Sequence, residues 1–328
     1  MGSHYTWGLV EDSLNRGNMS ILVTGGAGMV GSHVAELLEL RGDKVIILDN
    51  FETGRKEHLN NLTKALKIEG SVADRELVQD IVASHDVTHV VHTAASYAVS
   101  TEWQKQIETN ALGTANVAEM AKKVNARVIY FQTALCYGDS PTIQPVPLDY
   151  PRQPVKSSYA ISKTAGEFYL EQSGVDFVTF RLANIIGPRN LSGPLPIFFK
   201  RLSEGLPCRI TQSRRDFVDV RDLADAVIRA VDGVGSGAYH FSSGADVEIT
   251  TLFEEICSQM NLDGMPEYEI VKDDSGPKSI LLDPTRTQAD FNIKNLRSLS
   301  ETVAGAISYY RQYGVSREVT HMRKKDEK

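Results

Sequence analysis

Short, unbroken apolar blocks alternate along this chain with longer stretches in which apolar residues recur every three or four positions. Residues 21–23 form the first block, and Val30, Val34, Leu37 and Leu38 follow at helical spacing within Met29–Arg41. Lys44–Asp49 reads Val-Ile-Ile-Leu in its middle, the continuous hydrophobicity of a strand buried on both faces. The same reading predicts strands at 65–70, 89–93, 127–133 and 177–182, and helices at 75–84, 102–123 and 157–172. Sustained alternation of this kind predicts an α/β fold, a Rossmann-like doubly wound parallel sheet, over residues 20–181.

Beyond Arg181 the rhythm loosens. Gly187-Pro188, Gly193-Pro194 and Pro196 crowd a stretch that reads as turns, with a helix beginning at 198–202. Residues 182–214 and 246–320 are expected to form a smaller mixed α/β lobe. Residues 215–245 are expected to return partly to the first domain, through 222–231 and 238–242. Residues 1–19 read as a leader outside the fold and 321–328 as a solvated charged tail.

Composition narrows the function classes. With 35 Lys and Arg against 42 Asp and Glu the net charge is −7, which argues against a nucleic-acid partner. No apolar run approaches the roughly 20 residues that span a bilayer, so no membrane partner is expected. Three widely spaced cysteines suggest neither a disulfide framework nor a metal site, and reduced thiols in the cytoplasm are expected.

The candidate chemistry begins at Thr24-Gly25-Gly26-Ala27-Gly28-Met29-Val30-Gly31, a glycine pattern that follows a strand and opens a helix. Glycine allows a tight turn and close approach of backbone to a pyrophosphate, and a helix N-terminus offers free N–H groups. Asp49 ends the next strand, where a carboxylate accepts from ribose hydroxyls and repels a 2′-phosphate. The expected cofactor is therefore NAD rather than NADP. Tyr159 and Lys163 stand one helical turn apart on one face, so an ammonium can favour a nearby phenolate. Thr133 ends an apolar strand, which places its hydroxyl at the carboxyl edge of the sheet.

Taken in order, these motifs resemble the extended short-chain dehydrogenase/reductases, specifically the nucleotide-sugar epimerase/dehydratase family of UDP-galactose 4-epimerase type found in bacterial surface-polysaccharide clusters. The resemblance also rests on Asp49-Asn50-Phe51-Glu52-Thr53-Gly54, Val91-His92-Thr93-Ala94-Ala95, Asn110 with Gly113-Thr114, Arg181-Leu182-Ala183-Asn184 and Arg215-Asp216-Phe217-Val218-Asp219. It implies that Thr133, Tyr159 and Lys163 are catalytic. Tyr159 would be the base, Lys163 would hold the nicotinamide ribose, and Thr133 would bond the reacting sugar hydroxyl. It implies NAD contacts from Gly25, Gly28, Met29, Val30, Asp49, Asn50, Gly54, Ser71, Val72, Thr93, Ala94, Ala95 and Asn110, besides Tyr159 and Lys163. For a nucleotide-diphosphate sugar, a UDP-sugar above all, it implies Ser96, Thr133, Asn184, Arg215 and Lys278. The smaller lobe would bind that substrate, and the protein would be a homodimer.

Departures from the pattern sharpen the expected reaction. Ala134-Leu135 follow Thr133 where dehydratases of the family carry Asp-Glu and decarboxylases place a Glu. The expected reaction is epimerisation at carbon 4 through a transient 4-keto sugar. Dehydration, decarboxylation and keto-sugar reduction are the alternatives within the family, and a non-catalytic NAD-binding scaffold is the alternative outside it. Ser100 stands where uronate-specific relatives often carry Arg, Lys278 where many carry a phosphate-binding Arg, and Gln132 replaces a common Ser.

Overall fold

The computed structural model describes residues 19–154, 156–272 and 279–315. Its centre is a seven-stranded, all-parallel sheet built from β1 (Ser20–Thr24), β2 (Lys44–Asp49), β3 (Leu66–Glu69), β4 (His89–His92), β5 (Arg127–Thr133), β6 (Phe177–Leu182) and β11 (Gly237–Phe241). The strand order is β11-β6-β5-β4-β1-β2-β3. The chain runs outward from β1 to β3, then crosses back to β4 on the other side of β1. That reversal opens a crevice at the carboxyl ends of β1 and β4, where sheets of this kind bind ligands.

Side-chain alternation explains the two faces. Ile21, Val23, Val45 and Ile47 pack in one core cluster with Val34 and Leu38 of α1 (Met29–Arg41) and Leu223 and Val227 of α7 (Val220–Val231). Leu22, Ile46, Leu48 and Tyr130 face the opposite cluster. There they meet α2 (Arg75–Ser84), α4 (Gly113–Lys123) and α5 (Ser158–Ser173) through Ile81, Met120 and Leu170. A strand covered on both sides has no polar face, which is why these segments read as continuous apolar blocks.

The helix expected at 102–123 is continuous but not uniform: α3 (Trp103–Gln106) passes into a π-helical stretch, Ile107–Leu112, before α4. The proline-rich turns expected before residue 198 are corrected. Here α6 (Pro194–Ser203) starts four residues earlier, with proline in the first turn, where its missing N–H costs nothing. A third apolar cluster joins α6 to α8 (Ile249–Met260) and α10 (Leu299–Tyr313) through Phe198, Phe253 and Tyr310. Shorter strands complete this side: β7 (Asn184–Ile186) pairs with β10 (Phe217–Asp219), β8 (Cys208–Thr211) with β13 (Tyr268–Val271), and β9 (Arg214–Arg215) with β12 (Val247–Glu248). The short α9 (Thr285–Asp290) packs beside β11. No helix among the described residues is long and apolar enough to cross a membrane.

Candidate active site

The carboxyl edge of the sheet gathers the predicted residues. In register, Thr24 stands beside Leu48 and His92, Asp49 beside Glu69, and Thr133 beside Leu182. The glycine turn leaves β1 at this edge. Gly25 has φ +66°, and a Cβ there would lie 2.6 Å from the Ala94 nitrogen, so only glycine fits. Gly28 caps α1 without a side-chain hydrogen bond, and the first turn, which includes Met29 and Val30, holds no acid. The N–H groups at this end are therefore open to an anion. Asp49 accepts from the Ala27 and Phe51 N–H groups, both at 2.8 Å. Burial pushes its carboxyl up while these two bonds hold it down. A carboxylate has about four lone-pair sites, so two remain for ribose hydroxyls. The turn and Asp49 together fit an adenosine diphosphate.

The rest of the predicted cofactor set lines the same edge. Gly54 packs against the Asp49 carboxylate, so closely that a Cβ would lie 2.8 Å from Oδ1. Asn50 is exposed, and its side chain accepts from the Glu52 N–H at 3.2 Å. Ser71 and Val72 follow β3, and Val72 packs on Gly113. Thr93 ties the end of β4 to the turn, donating to the Thr24 carbonyl at 2.6 Å, and Ala94 and Ala95 follow. Asn110 is fully buried in the π-helical stretch. Its amide oxygen accepts from Ser96 N, and its nitrogen donates to the Ser96 carbonyl and to Ser162 Oγ. Its side chain is thus committed to stapling the loop after β4 onto α5.

Beneath that loop runs a chain of hydroxyls and one imidazole. Thr114 donates to the Asn110 carbonyl at 2.7 Å, so its oxygen accepts from His92 Nε2. His92 Nδ1 then accepts from the Thr24 hydroxyl at 2.7 Å. Burial, with Lys163 nearby, pushes His92 down to about 3 and keeps it neutral.

Tyr159 and Lys163 share one face of α5, whose N-cap Ser157 accepts from Ala160 N at 3.2 Å. The Lys163 ammonium stands 4.0 Å from the centroid of the Tyr130 ring, and Tyr130 donates its hydroxyl to the Lys163 carbonyl. Burial lowers Lys163 to about 7, against the upward pull of Glu167. The Tyr159 phenol is raised, by burial first and by Tyr97 second. In the protein alone, then, burial outweighs any phenolate-stabilising effect of Lys163. Thr133 ends β5 and caps the short 3-10 turn Ala134–Tyr137, its Oγ1 accepting from Leu135 N at 3.2 Å. An oxygen that already accepts leaves its own proton to donate.

Asn184, two residues beyond the end of β6, pairs with Phe217 of β10, while Arg215 lies on β9 opposite Val247. Asn184 donates its backbone N–H and its side-chain amide to the Asp216 carbonyl, and Arg215 donates to the Arg214 carbonyl at 2.7 Å. Lys278 lies outside the described residues, as do most of the leader and all of the tail. Three neighbours carried no expectation from the sequence. Tyr97 sets its ring edge-on to Tyr159 at 6.4 Å and bonds Thr53; Ser162 holds Asn110; Tyr130 underlies Lys163. Only Ser162 had a visible signal, lying between Tyr159 and Lys163. Cys136 is fully buried, and burial pushes its thiol up, in keeping with a packed rather than a reactive cysteine.

The sequence profile of the NAD dependent epimerase/dehydratase family matches residues 21–241. A Methanocaldococcus jannaschii protein provisionally named UDP-glucose 4-epimerase is 32% identical over 265 residues, 76% of this chain and 85% of its own. A UDP-N-acetyl-alpha-D-glucosaminuronate decarboxylase from Bacillus cytotoxicus is 36% identical over 231 residues, 64% of this chain and 70% of its own. Among solved structures, the Bordetella bronchiseptica enzyme WbmH in complex with NAD+ is 56% identical with a TM-score of 0.88, over 90% of this chain and 100% of that one. WbmG of the same organism, solved with NAD and UDP, is 37% identical with a TM-score of 0.86, over 94% and 99%. With the profile running from β1 to β11, the chain belongs to the NAD-dependent epimerase/dehydratase family, and NAD is its cofactor.

Proposed function

We propose that this enzyme epimerises a UDP-hexose at carbon 4 through a transient 4-keto sugar. The observation that carries the reading is the pairing of Tyr159 and Lys163 on α5 with Thr133 at the end of β5, followed by Ala134 and Leu135 rather than by acids. When bound, NAD supplies the two-electron acceptor and returns those electrons. As the phenolate, its own proton released beforehand to solvent, Tyr159 takes the proton of the C4 hydroxyl, and Thr133 donates a hydrogen bond to the reacting oxygen. Lys163 holds the nicotinamide ribose and, when protonated, places positive charge beside the phenol. Asn184, Arg215 and Lys278 grip the diphosphate and Ser96 the sugar, while the lobe formed by α6, α8 and α10 covers it. Gripping a remote diphosphate lets the sugar turn without leaving. After the turn, Tyr159 gives the proton back.

Decarboxylation of a UDP-uronate is the second reading, favoured by the Bacillus cytotoxicus relative. The missing acid after Thr133 weighs against it. Purified protein with a UDP-hexose should yield its 4-epimer without added NAD, and Tyr159→Phe should retain NAD and lose turnover. A product from a UDP-uronate lighter by carbon dioxide would decide for the second reading.

A homodimer is part of the proposal. Trp103, Ile107, Ile161 and Tyr169 leave large apolar surfaces exposed on α3, the π-helical stretch and α5. Patches of this kind mark association surfaces, and a second copy presenting the same helices would cover them.

A further inference from the structure

The next-to-last residue of β5, Gln132, is 1% exposed yet polar at both ends. Its amide oxygen accepts from the backbone N–H of Thr133 at 2.8 Å, and its amide nitrogen donates to Glu167 Oε2 at 3.2 Å. Glu167, 0% exposed, sits on α5 one turn beyond Lys163 and two beyond Tyr159. It is held in turn by Arg181 Nε at 3.0 Å and Arg152 Nη1 at 3.1 Å. Arg181 continues the connection, donating to the Tyr137 hydroxyl at 2.6 Å. Tyr137 reaches His240 Nε2 at 2.6 Å, and His240 Nδ1 donates to the Asp283 carbonyl at 3.0 Å.

A buried amide needs partners for both its oxygen and its nitrogen, or it costs more than it contributes. Here the oxygen's partner is the backbone of Thr133, and the nitrogen's are the Thr164 hydroxyl at 3.4 Å and a Glu167 anchored by two guanidinium groups. Such an amide has little freedom to move, and neither does the peptide it grips.

Resting on the function proposed above, we infer that Gln132 is a positioning residue for the reaction, locking the Thr133 backbone to Glu167 so that the Thr133 hydroxyl keeps a fixed place relative to the helix that carries Tyr159. The linkage also couples two elements that must stay in register, the end of β5 and the helix carrying Tyr159 and Lys163. Catalytic geometry tolerates little slack, since an ångström of misplacement costs on the order of a hundredfold in rate. A glutamine is long enough to span from the strand to Glu167 while folding its oxygen back onto the next peptide.

The test uses the full-length, NAD-loaded protein with Gln132→Met, which keeps the length of the side chain and removes its hydrogen bonds to Thr133, Glu167 and Thr164. Amide exchange at Thr133 should quicken at least tenfold relative to wild type. With the UDP-hexose that wild type turns over, kcat should fall about tenfold at an unchanged KM, at a temperature where both proteins are folded. Should Gln132→Met not fold, Gln132→Leu, which likewise carries no donor or acceptor, should give the same pair of changes. Unchanged exchange at Thr133 overturns the inference whatever the substrate, so it is judged even if wild type turns over no sugar nucleotide; that last result sinks the proposed function alone. Faster exchange with wild-type kcat overturns the role in the reaction, leaving a purely structural bond.

Discussion

Tyr130 touches Lys163 at both ends: its ring lies 4.0 Å beneath the ammonium, and its hydroxyl donates to the carbonyl of the same residue at 2.8 Å. One side chain thus fixes both the charge and the backbone of the lysine. Tyr130→Phe keeps the ring and removes one hydrogen bond from a carbonyl that retains its helical partner, so it should lower stability by about 0.5–1.5 kcal/mol. Tyr130→Leu also removes the cation–π contact and should cost more in both stability and turnover. Denaturant unfolding of the two variants checks the order; equal losses would remove the ring from the explanation.

Lys163 gives a signed pH dependence. Burial holds it at about 7, below its ordinary value, so the charged form is disfavoured in the fold. Between about pH 7 and the usual lysine value the unfolded chain keeps a proton that the folded chain has released, so this residue makes stability rise with pH. Below pH 7 its full cost is present. Tyr130 from β5, His92 from β4 and Tyr159 and Glu167 from α5 surround it. With NAD stripped from both proteins, Lys163→Met should melt a few degrees higher than wild type at pH 6.5, and the gap should close towards pH 10. A wild type that melts higher at pH 6.5 would refute the assignment.

Asp49 accepts backbone N–H groups at both oxygens. Asn has one carbonyl oxygen, so Asp49→Asn turns an NH2 towards one of those donors and should cost about 1–3 kcal/mol of stability. It also removes the charge that repels a 2′-phosphate. The expected outcome is weaker NAD retention through purification and a smaller preference for NAD over NADP, measured by titration.

Gly166 lies where α5 crosses the π-helical stretch. A Cβ there would come 2.6 Å from the Asn110 carbonyl oxygen and 2.9 Å from the Tyr130 hydroxyl. Gly166→Ala would ordinarily favour a helix. Here the added methyl should force the helices apart, destabilise by about 1–3 kcal/mol and disturb Lys163 through Tyr130. A stabilised variant would show that the packing relaxes.

The dimer is tested at Ile161, which is 52% exposed on α5 two residues from Tyr159. Ile161→Asp places a charge in the expected interface and should convert a two-chain mass in sedimentation to a one-chain mass. A wild type sedimenting as a single chain would remove the homodimer outright.

Much of the sheet was legible because buried parallel strands write themselves as unbroken apolar runs. The helix at 194–203 was misjudged because Pro194 and Pro196 read as turn signals, although a helix accepts proline in its first turn. The π-helical stretch left no sign, since the residues of Ile107–Leu112 suit an α-helix equally well. Asn110 was expected along the cofactor path; that its side chain is spent on Ser96 and Ser162 depends on a loop 14 residues away and a helix 52 away.

By itself the amino-acid order determined the alternation of elements, the glycine turn at Gly25, the strand-ending Asp49 and Thr133, and the four-residue step from Tyr159 to Lys163. All of these follow from local periodicity and backbone sterics, which act within a few residues. Tertiary structure alone decided that Lys163 rests on Tyr130, that Thr133 is tied through Gln132 to Glu167, and that burial sets the protonation of Lys163 and Tyr159. The partners in those contacts are separated by 33 and 35 residues. Desolvation, moreover, has no value until the sheet and helices have closed around the group.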